Sequence, residues 1–206
     1  MLFSLFLLTL LTNCSKDDNR NAPEFPLKAS DNLDDLDYRI YSVVLDELFP
    51  ETENPVINQA TAAFSASLGE EYLQALKDSY PEIDTTVFSD YTLANDTVYY
   101  LENKFSVASK KVSVVSDEEI QYIFSTMEIN KGWEEFYRRY PDSNGTISFS
   151  RIGYSKDKTR AMVELGNMYA SLGGEGSLIF LKLEDNRWII ARIMPTWGIR
   201  SQFRPD

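Results

Sequence analysis

The sequence predicts an α+β domain in which N-terminal helices pack on a C-terminal four-stranded antiparallel meander. Three observations carry this expectation. Apolar residues recur at helical spacing through much of the first two thirds of the chain, the last third alternates apolar with polar residues, and its segments are joined by short connections rich in turn formers. With 43% hydrophobic residues, 12 Tyr and 12 Phe, the chain can bury a core. A single domain is expected over residues 34–206, with no internal repeat.

Asp35 or Asp37 can cap a first helix that runs to about Phe49, because Tyr41, Val44, Leu45 and Leu48 recur at i, i+3, i+4 and i+7. Pro50 and a polar stretch end it. Residues 56–64 fit either a short strand or a helix start. A second helix is expected over residues 69–79, with Tyr72, Leu73, Leu76 and Tyr80 inward and Pro81 as the stop. Residues 84–104, polar and rich in Thr and Tyr, read as a wrap with little regular structure.

Residues 111–115 form a short expected strand, and Ser116-Asp117-Glu118-Glu119 reads as a capping box for the helix carrying Ile120, Ile123, Phe124 and Met127. Asn130 can cap a further helix over residues 131–139, with Trp133, Phe136 and Tyr137 on one side. The meander itself is expected from strands at 147–154, 160–169, 177–184 and 187–194, joined by hairpins at 155–158, 171–174 and 185–186. Helices upstream would cover one face of it.

Residues 2–12 are almost wholly apolar, too short a run for a membrane-spanning helix of about 20 residues but the right length for a signal-peptide core. No Lys or Arg precedes the run, a departure that a start upstream of Met1 would explain. The next residues, Leu11-Thr12-Asn13-Cys14, resemble a lipobox, the cleavage signal of bacterial lipoproteins. The resemblance implies a signal peptide at 1–13, lipidation of Cys14 through its thiolate, palmitate among the acyl chains, and membrane attachment through that lipid. Polar, proline-containing residues 14–33 then read as a disordered tether. Ser15 in place of an inner-membrane retention aspartate favours the outer membrane, and Ser15-Lys16-Asp17-Asp18 resembles the acidic export signal of surface lipoproteins in the Bacteroidota. The implied address is the cell envelope, on the periplasmic or the surface side.

The formal net charge of −12 argues against nucleic acid as a partner, since phosphate binding is driven by Lys and Arg. Cys14 is the only cysteine and there is no histidine, which excludes Ser-His-Asp and Cys-His catalysis, thiolate or histidine metal sites and a histidine pH switch. No cofactor is expected.

Trp133-Glu134-Glu135-Phe136-Tyr137, Tyr140-Pro141-Asp142-Ser143, Phe149 to Tyr154, the strand from Ala161 to Gly166, Gly173-Gly174-Glu175-Gly176 and Trp188 together resemble a family of uncharacterised secreted bacterial α+β domains. This covers roughly the last third of the chain and implies no activity. The order of helices followed by a curved sheet is also similar to the NTF2-like and cystatin-like folds, a likeness that says nothing of function.

Arg151 and Glu164 lie in adjacent expected strands, where a hairpin register can set them opposite or diagonal to each other. They could form a structural ion pair or, with Tyr154 and Tyr169, a ligand-recognising group on the sheet. Gly173 to Gly176 reads as a glycine hairpin turn, not a phosphate loop, because no helix follows it. Trp133, Tyr137 and Tyr140 at helical spacing read as core before they read as a sugar platform. The function expected is a non-enzymatic binding or protein-interaction module at the envelope, holding a protein or small-molecule ligand. Two alternatives stand beside it. One is a histidine-independent, glycosidase-like hydrolase using Glu164 with Glu175 or Asp142. The other is an inhibitor or immunity-type protein whose acidic surface meets a basic partner.

Overall fold

The computed structural model describes residues 23–63, 74–78, 80, 84–125 and 128–200. The expected signal peptide, Cys14 and the tether up to residue 22 lie outside the described residues, as do parts of the 69–79 helix, of which residues 74–78 are helical.

The four-stranded meander is corrected to a seven-stranded mixed sheet. In chain order the described elements are α1 (Asp35–Leu48), β1 (Val56–Asn58), α2 (Thr85–Ala94), β2 (Ser113–Val115), α3 (Asp117–Ile123), α4 (Ile129–Arg139), β3 (Thr146–Phe149), β4 (Gly153–Tyr154), β5 (Arg160–Ala170), β6 (Gly173–Glu184) and β7 (Arg187–Arg200). The sheet runs β2-β1-β3-β5-β6-β7, with β4 also paired to β5. Strand β1 is parallel to both β2 and β3, and the remaining pairs are antiparallel. The three-residue strands β1 and β2 are too short to show an alternating pattern, so their place in the sheet is set by distant pairing that local sequence does not display.

The single strand expected at 147–154 is split in two. Phe149 pairs with Leu165 and Gly153 with Met162, so three residues, Ser150 to Ile152, span the two positions Val163 and Glu164 on β5. Ser150 fills the gap: its amide donates to the Glu164 carbonyl at 2.9 Å, and its hydroxyl accepts from the Glu164 amide at 2.8 Å.

Both faces of the sheet are covered, where one was expected. On one face α1 buries Tyr41, Val44 and Leu45 against Phe149, Val163, Leu165, Ile179 and Leu181. Each such side chain contributes roughly 1.5–3 kcal/mol. On the other, Val87, Phe88 and Tyr91 of α2 pack on Met162, Leu178, Phe180 and Met194. Further along that second face, Trp133 and Phe136 of α4 and Ile123 of α3 meet Val56 and Val115.

Helix α2 occupies residues expected to be irregular. Its sequence is rich in Thr and poor in helix formers, so local propensity argues against it. Burial of Val87, Phe88 and Tyr91 outweighs that propensity, and Asp84 caps the helix by accepting from the Thr86 amide at 2.9 Å. Ser116 caps α3 by accepting from the Glu119 amide at 3.2 Å, while the Glu119 carboxylate is engaged by Arg139 at 3.2 Å.

Gly173 to Gly176 is not the turn but the first part of β6, and among the described glycines only Gly145 has positive φ. The glycines serve close approach instead: a Cβ on Gly176 would lie 2.0 Å from Trp197 Nε1. The β6–β7 hairpin turns on Asp185 and Asn186, at φ of 48° and 61°.

At the N-terminal end, residues 25–33 of the expected tether lie on the domain. The Phe25 ring is 5.0 Å from that of Tyr122, Lys28 and Gln59 exchange hydrogen bonds of 2.9 and 2.8 Å, and the Asp31 amide donates to the Tyr100 carbonyl at 2.9 Å.

Strand β4 and helix α2 approach so closely that a Cβ on Gly153 would lie 2.5 Å from the Tyr91 amide nitrogen. Backbone cannot yield as a side-chain tip can. Gly153→Ala is therefore expected to destabilise the fold by about 1–3 kcal/mol, seen as a lower urea midpoint at unchanged m-value. An unchanged midpoint would contradict this packing.

Candidate functional site

Of the four residues singled out as ligand-binding candidates, the structure brings Arg151 and Tyr154 together and sets Glu164 and Tyr169 apart. Arg151 and Glu164 do not pair. Glu164 faces Leu178 directly across β5–β6, on the side of the sheet covered by α2, and is fully buried. Its carboxylate accepts from the Tyr91 hydroxyl at 3.1 Å and from the Thr196 hydroxyl at 3.2 Å.

Arg151, between β3 and β4, turns instead toward α1. One guanidinium nitrogen lies 3.5 Å from the Asp37 carboxylate, and the group stacks 4.0 Å from the centre of the Tyr99 ring. The Arg151 Nε is buried without a hydrogen-bond partner. Tyr154 comes to the same place, its hydroxyl donating to Asp37 at 2.6 Å. Arg151 and Tyr154 are thus joined by Asp37, which sequence reading treated only as a possible helix cap. Asp37 is 3% exposed. Burial pushes its carboxyl above the ordinary aspartate range, and the Tyr154 hydrogen bond and Arg151 charge oppose the shift without cancelling it. Burial and the neighbouring carboxylate hold the Tyr154 hydroxyl far above the usual tyrosine range, so it remains a donor. The trio ties α1 to the strand pair beneath it.

Tyr169 lies elsewhere. Tyr154 pairs with Ala161 near the start of β5, whereas Tyr169 is eight residues further along, about 26 Å at strand rise. Its carbonyl accepts from the Tyr137 hydroxyl at 2.8 Å. The carboxylate pair for a hydrolase does not assemble from Glu164 and Glu175, because Glu175 pairs with Asn167, three positions from Glu164 and on the opposite face of the sheet. Asp142 sits at positive φ in the turn before β3. Trp133 is packed into the α3–α4 core, with its ring 4.9 Å from Phe124 and 5.4 Å from Phe136.

A cleft of about 500 Å³ opens between α1, the segment around Lys104 and the β6–β7 hairpin. Its walls include Tyr38, Arg39, Asp46, Lys104, Arg187 and Trp188. Helix α1 turns Tyr38, Arg39 and Ser42 toward it, and the Asp185–Asn186 turn delivers Arg187 and Trp188 from the other side. Lys104 is paired with Glu102 at 2.8 Å, whereas Arg39 and Arg187 form no ion pair among the described residues. Cations and acids converge there beside the half-buried Trp188 ring, a set suited to holding a polar ligand with a flat face. None of these residues was a site candidate from sequence, and only Trp188 was marked at all, within the family resemblance. The signal that could have found part of the site is a Trp and an Arg placed directly after a two-residue hairpin turn.

Among the described residues no group of three or more His, Cys, Asp or Glu is arranged to hold a metal, and no helix is long and apolar enough to cross a membrane. No family model, curated protein or solved structure matches the chain.

The raised carboxyl of Asp37 means that the folded state holds this proton more tightly than the unfolded chain. Its contribution to stability is full below the unfolded-chain value and is lost as pH rises through the folded-state value. The unfolding free energy of wild type relative to Asp37→Asn should therefore grow as pH is lowered through that window. A difference that shrinks or stays flat would contradict the assignment. Tyr154→Phe removes a donor from the same buried carboxylate and should cost about 1–3 kcal/mol at neutral pH, read from urea unfolding.

Proposed function

We propose that the protein is a non-enzymatic binding module, lipid-anchored at the bacterial cell envelope through Cys14, that holds a small polar ligand in the cleft between α1 and the β6–β7 hairpin. The observation that carries this reading is the convergence on one cleft of the half-buried Trp188 ring with Arg39 and Arg187, whose charges are not consumed by ion pairs among the described residues. Its volume of about 500 Å³ is in the range of small-ligand sites.

The address rests on the order of apolar run, cysteine and polar tail, and Ser15 after the cysteine favours the outer membrane. An acyl anchor supplies membrane affinity that an acidic domain would not gain from anionic lipids. The chemistry of the candidate carboxylates supports a binding role over hydrolysis: Glu164 is closed off from water, and Glu175 projects from the other face.

Two measurements test the reading. Palmitate labelling of the full chain in cells should be present in wild type and lost in Cys14→Ala, and labelling that persists would reject the anchor. Native mass spectrometry of the full chain, after incubation with a small-molecule extract of bacterial envelopes, should show a retained species. Trp188→Ala or Arg187→Ala should weaken its retention by about tenfold, the loss expected for about 1.4 kcal/mol of contact energy. Retention unaffected by both substitutions, or chemical conversion of the retained molecule, would overturn the proposal.

A further inference from the structure

The cleft between α1 and the β6–β7 hairpin is lined by polar side chains that the fold itself does not use. Resting on the assignment of this cleft as the ligand site, we infer that it takes a neutral oligosaccharide, whose hydroxyls bond along α1 while one sugar ring lies against Trp188.

Residues 35, 39, 42 and 46 of α1 fall at i, i+4, i+7 and i+11, which puts them in a row on one side of the helix, and all four line the cleft. From Asp35 to Asp46 the row is about 16 Å long at helical rise. Ser42 is used by the fold, accepting from the Ser106 amide at 2.9 Å. Asp35, Arg39 and Asp46 are not. Their side chains form no hydrogen bond or ion pair among the described residues, although Asp35 and Arg39 stand one turn apart. Across the cleft, the side-chain polar groups of Asn186, Arg187 and Trp188 are also without partners among the described residues.

The charges of this set cancel. Arg39 and Arg187 are matched in number by Asp35 and Asp46, and Lys104, the third cation of the lining, is held by Glu102 at 2.8 Å. An anion or a cation in the cleft meets like charges as well as opposite ones, so neither is favoured. What stands unspent is hydrogen bonding of both kinds. Guanidinium and indole N–H groups donate, carboxylates accept, and the Asn186 amide does both. A sugar hydroxyl also donates and accepts, so a chain of hydroxyls can use such a mixture in any order. A single-ring metabolite is too short for the row on α1, whereas linked sugars reach along it. Trp188 is half-buried, with part of its ring packed on the core, and supplies a flat apolar surface for the C–H face of one sugar with its N–H as a donor beside it. The volume of about 500 Å³ admits a ligand of this size.

A second cleft, of about 310 Å³, lies at one end of the sheet face covered by α2, and its polar groups are already engaged. Lys182 pairs with Glu184, Asp84 caps α2 at Thr86, Arg160 donates to the Thr159 carbonyl at 3.2 Å, and Arg192 stacks 4.4 Å from the centre of the Tyr80 ring. The contrast marks the α1 cleft as the place where unused donors and acceptors collect.

The test uses the full chain in phosphatidylcholine nanodiscs, with empty nanodiscs as the reference, on an array of immobilised neutral and acidic oligosaccharides, followed by calorimetric titration of the tightest neutral binder. At least one neutral oligosaccharide should bind, more tightly than its uronate-bearing counterparts. Its affinity should change by less than about twofold between about 50 and about 500 mM salt, since no charge on the ligand is screened. The corresponding monosaccharide should bind about tenfold or more weakly. Asp46→Ala on one wall and Arg187→Ala on the other should each lower affinity about tenfold while circular dichroism remains that of the wild type. Absence of binding by every neutral oligosaccharide, equal binding of the monosaccharide, a steep loss of affinity with salt, or affinity unchanged in both variants would overturn the inference. If no sugar binds but a different molecule is retained from envelope extract and lost in Arg187→Ala, the inference falls and the ligand site stands; if nothing is retained either, both fall.

Discussion

The double burial of β5, with α1 packed over Ala161, Val163 and Leu165 and α2 closing over Met162 and Glu164, governs what the strands around it can carry. A strand open to water on one side can place its polar residues there. Here the sheet has no such side at its centre, so a carboxylate at position 164 has to be satisfied from within the fold. Tyr91 of α2 and Thr196 of β7 provide donors from two different elements, which links the helix and the edge strand to the same buried oxygen pair. Ser150 closes the neighbouring gap between β3 and β4 by bonding both backbone groups of Glu164. The trio of buried Asp37 with half-buried Arg151 and Tyr154 solves the matching problem between α1 and β4.

Strand β7 shows how register distributes chemistry. It carries two extra residues, Ala191 and Thr196, each at a shift in its pairing with β6. The first sends Arg192 to the face covered by α2, and the second places Trp197 over Gly176, where a Cβ would leave no room for the ring. The same bulges, together with Pro195 and the arginines along the strand, disturb the free edge of β7 and discourage pairing with another chain. At the other end of the sheet, the segment from Phe25 to Leu33 lies against Gln59, Tyr100 and Tyr122. The two clefts follow from this plan. One forms where the tip of the β6–β7 hairpin leans toward α1, the other where α2 leaves the ends of β5, β6 and β7 uncovered.

Features that depend on neighbouring residues were legible in the sequence. Tyr41, Val44 and Leu45 reveal α1 by their spacing, Ser116 announces α3, and Asp185-Asn186 marks the last hairpin. Features fixed by distant contacts were not. Strands β1 and β2 have three residues each, and their parallel pairing joins segments more than fifty residues apart. Helix α2 is held by its buried side, against its own propensity. Gly176 looks like a turn residue because the ring that demands it lies about twenty positions later, at Trp197. Glu164 lies inside the sheet as expected and Arg151 falls in the gap between β3 and β4, and their partners, Tyr91 and Asp37, come from helices far earlier in the chain. The clefts were hidden for the same reason, since each is assembled from elements that sequence order keeps apart.

Native-state hydrogen exchange on the full chain tests the central claim, that β5 is sealed on both faces, most directly. Amides of residues 162–166 should exchange only through global unfolding, with the largest protection in the protein, and those along the free edge of β7 should exchange through smaller openings. If residues 162–166 exchanged as readily as the β7 edge, the sheet would not be enclosed between α1 and α2, and the buried role of Glu164 would fall with it.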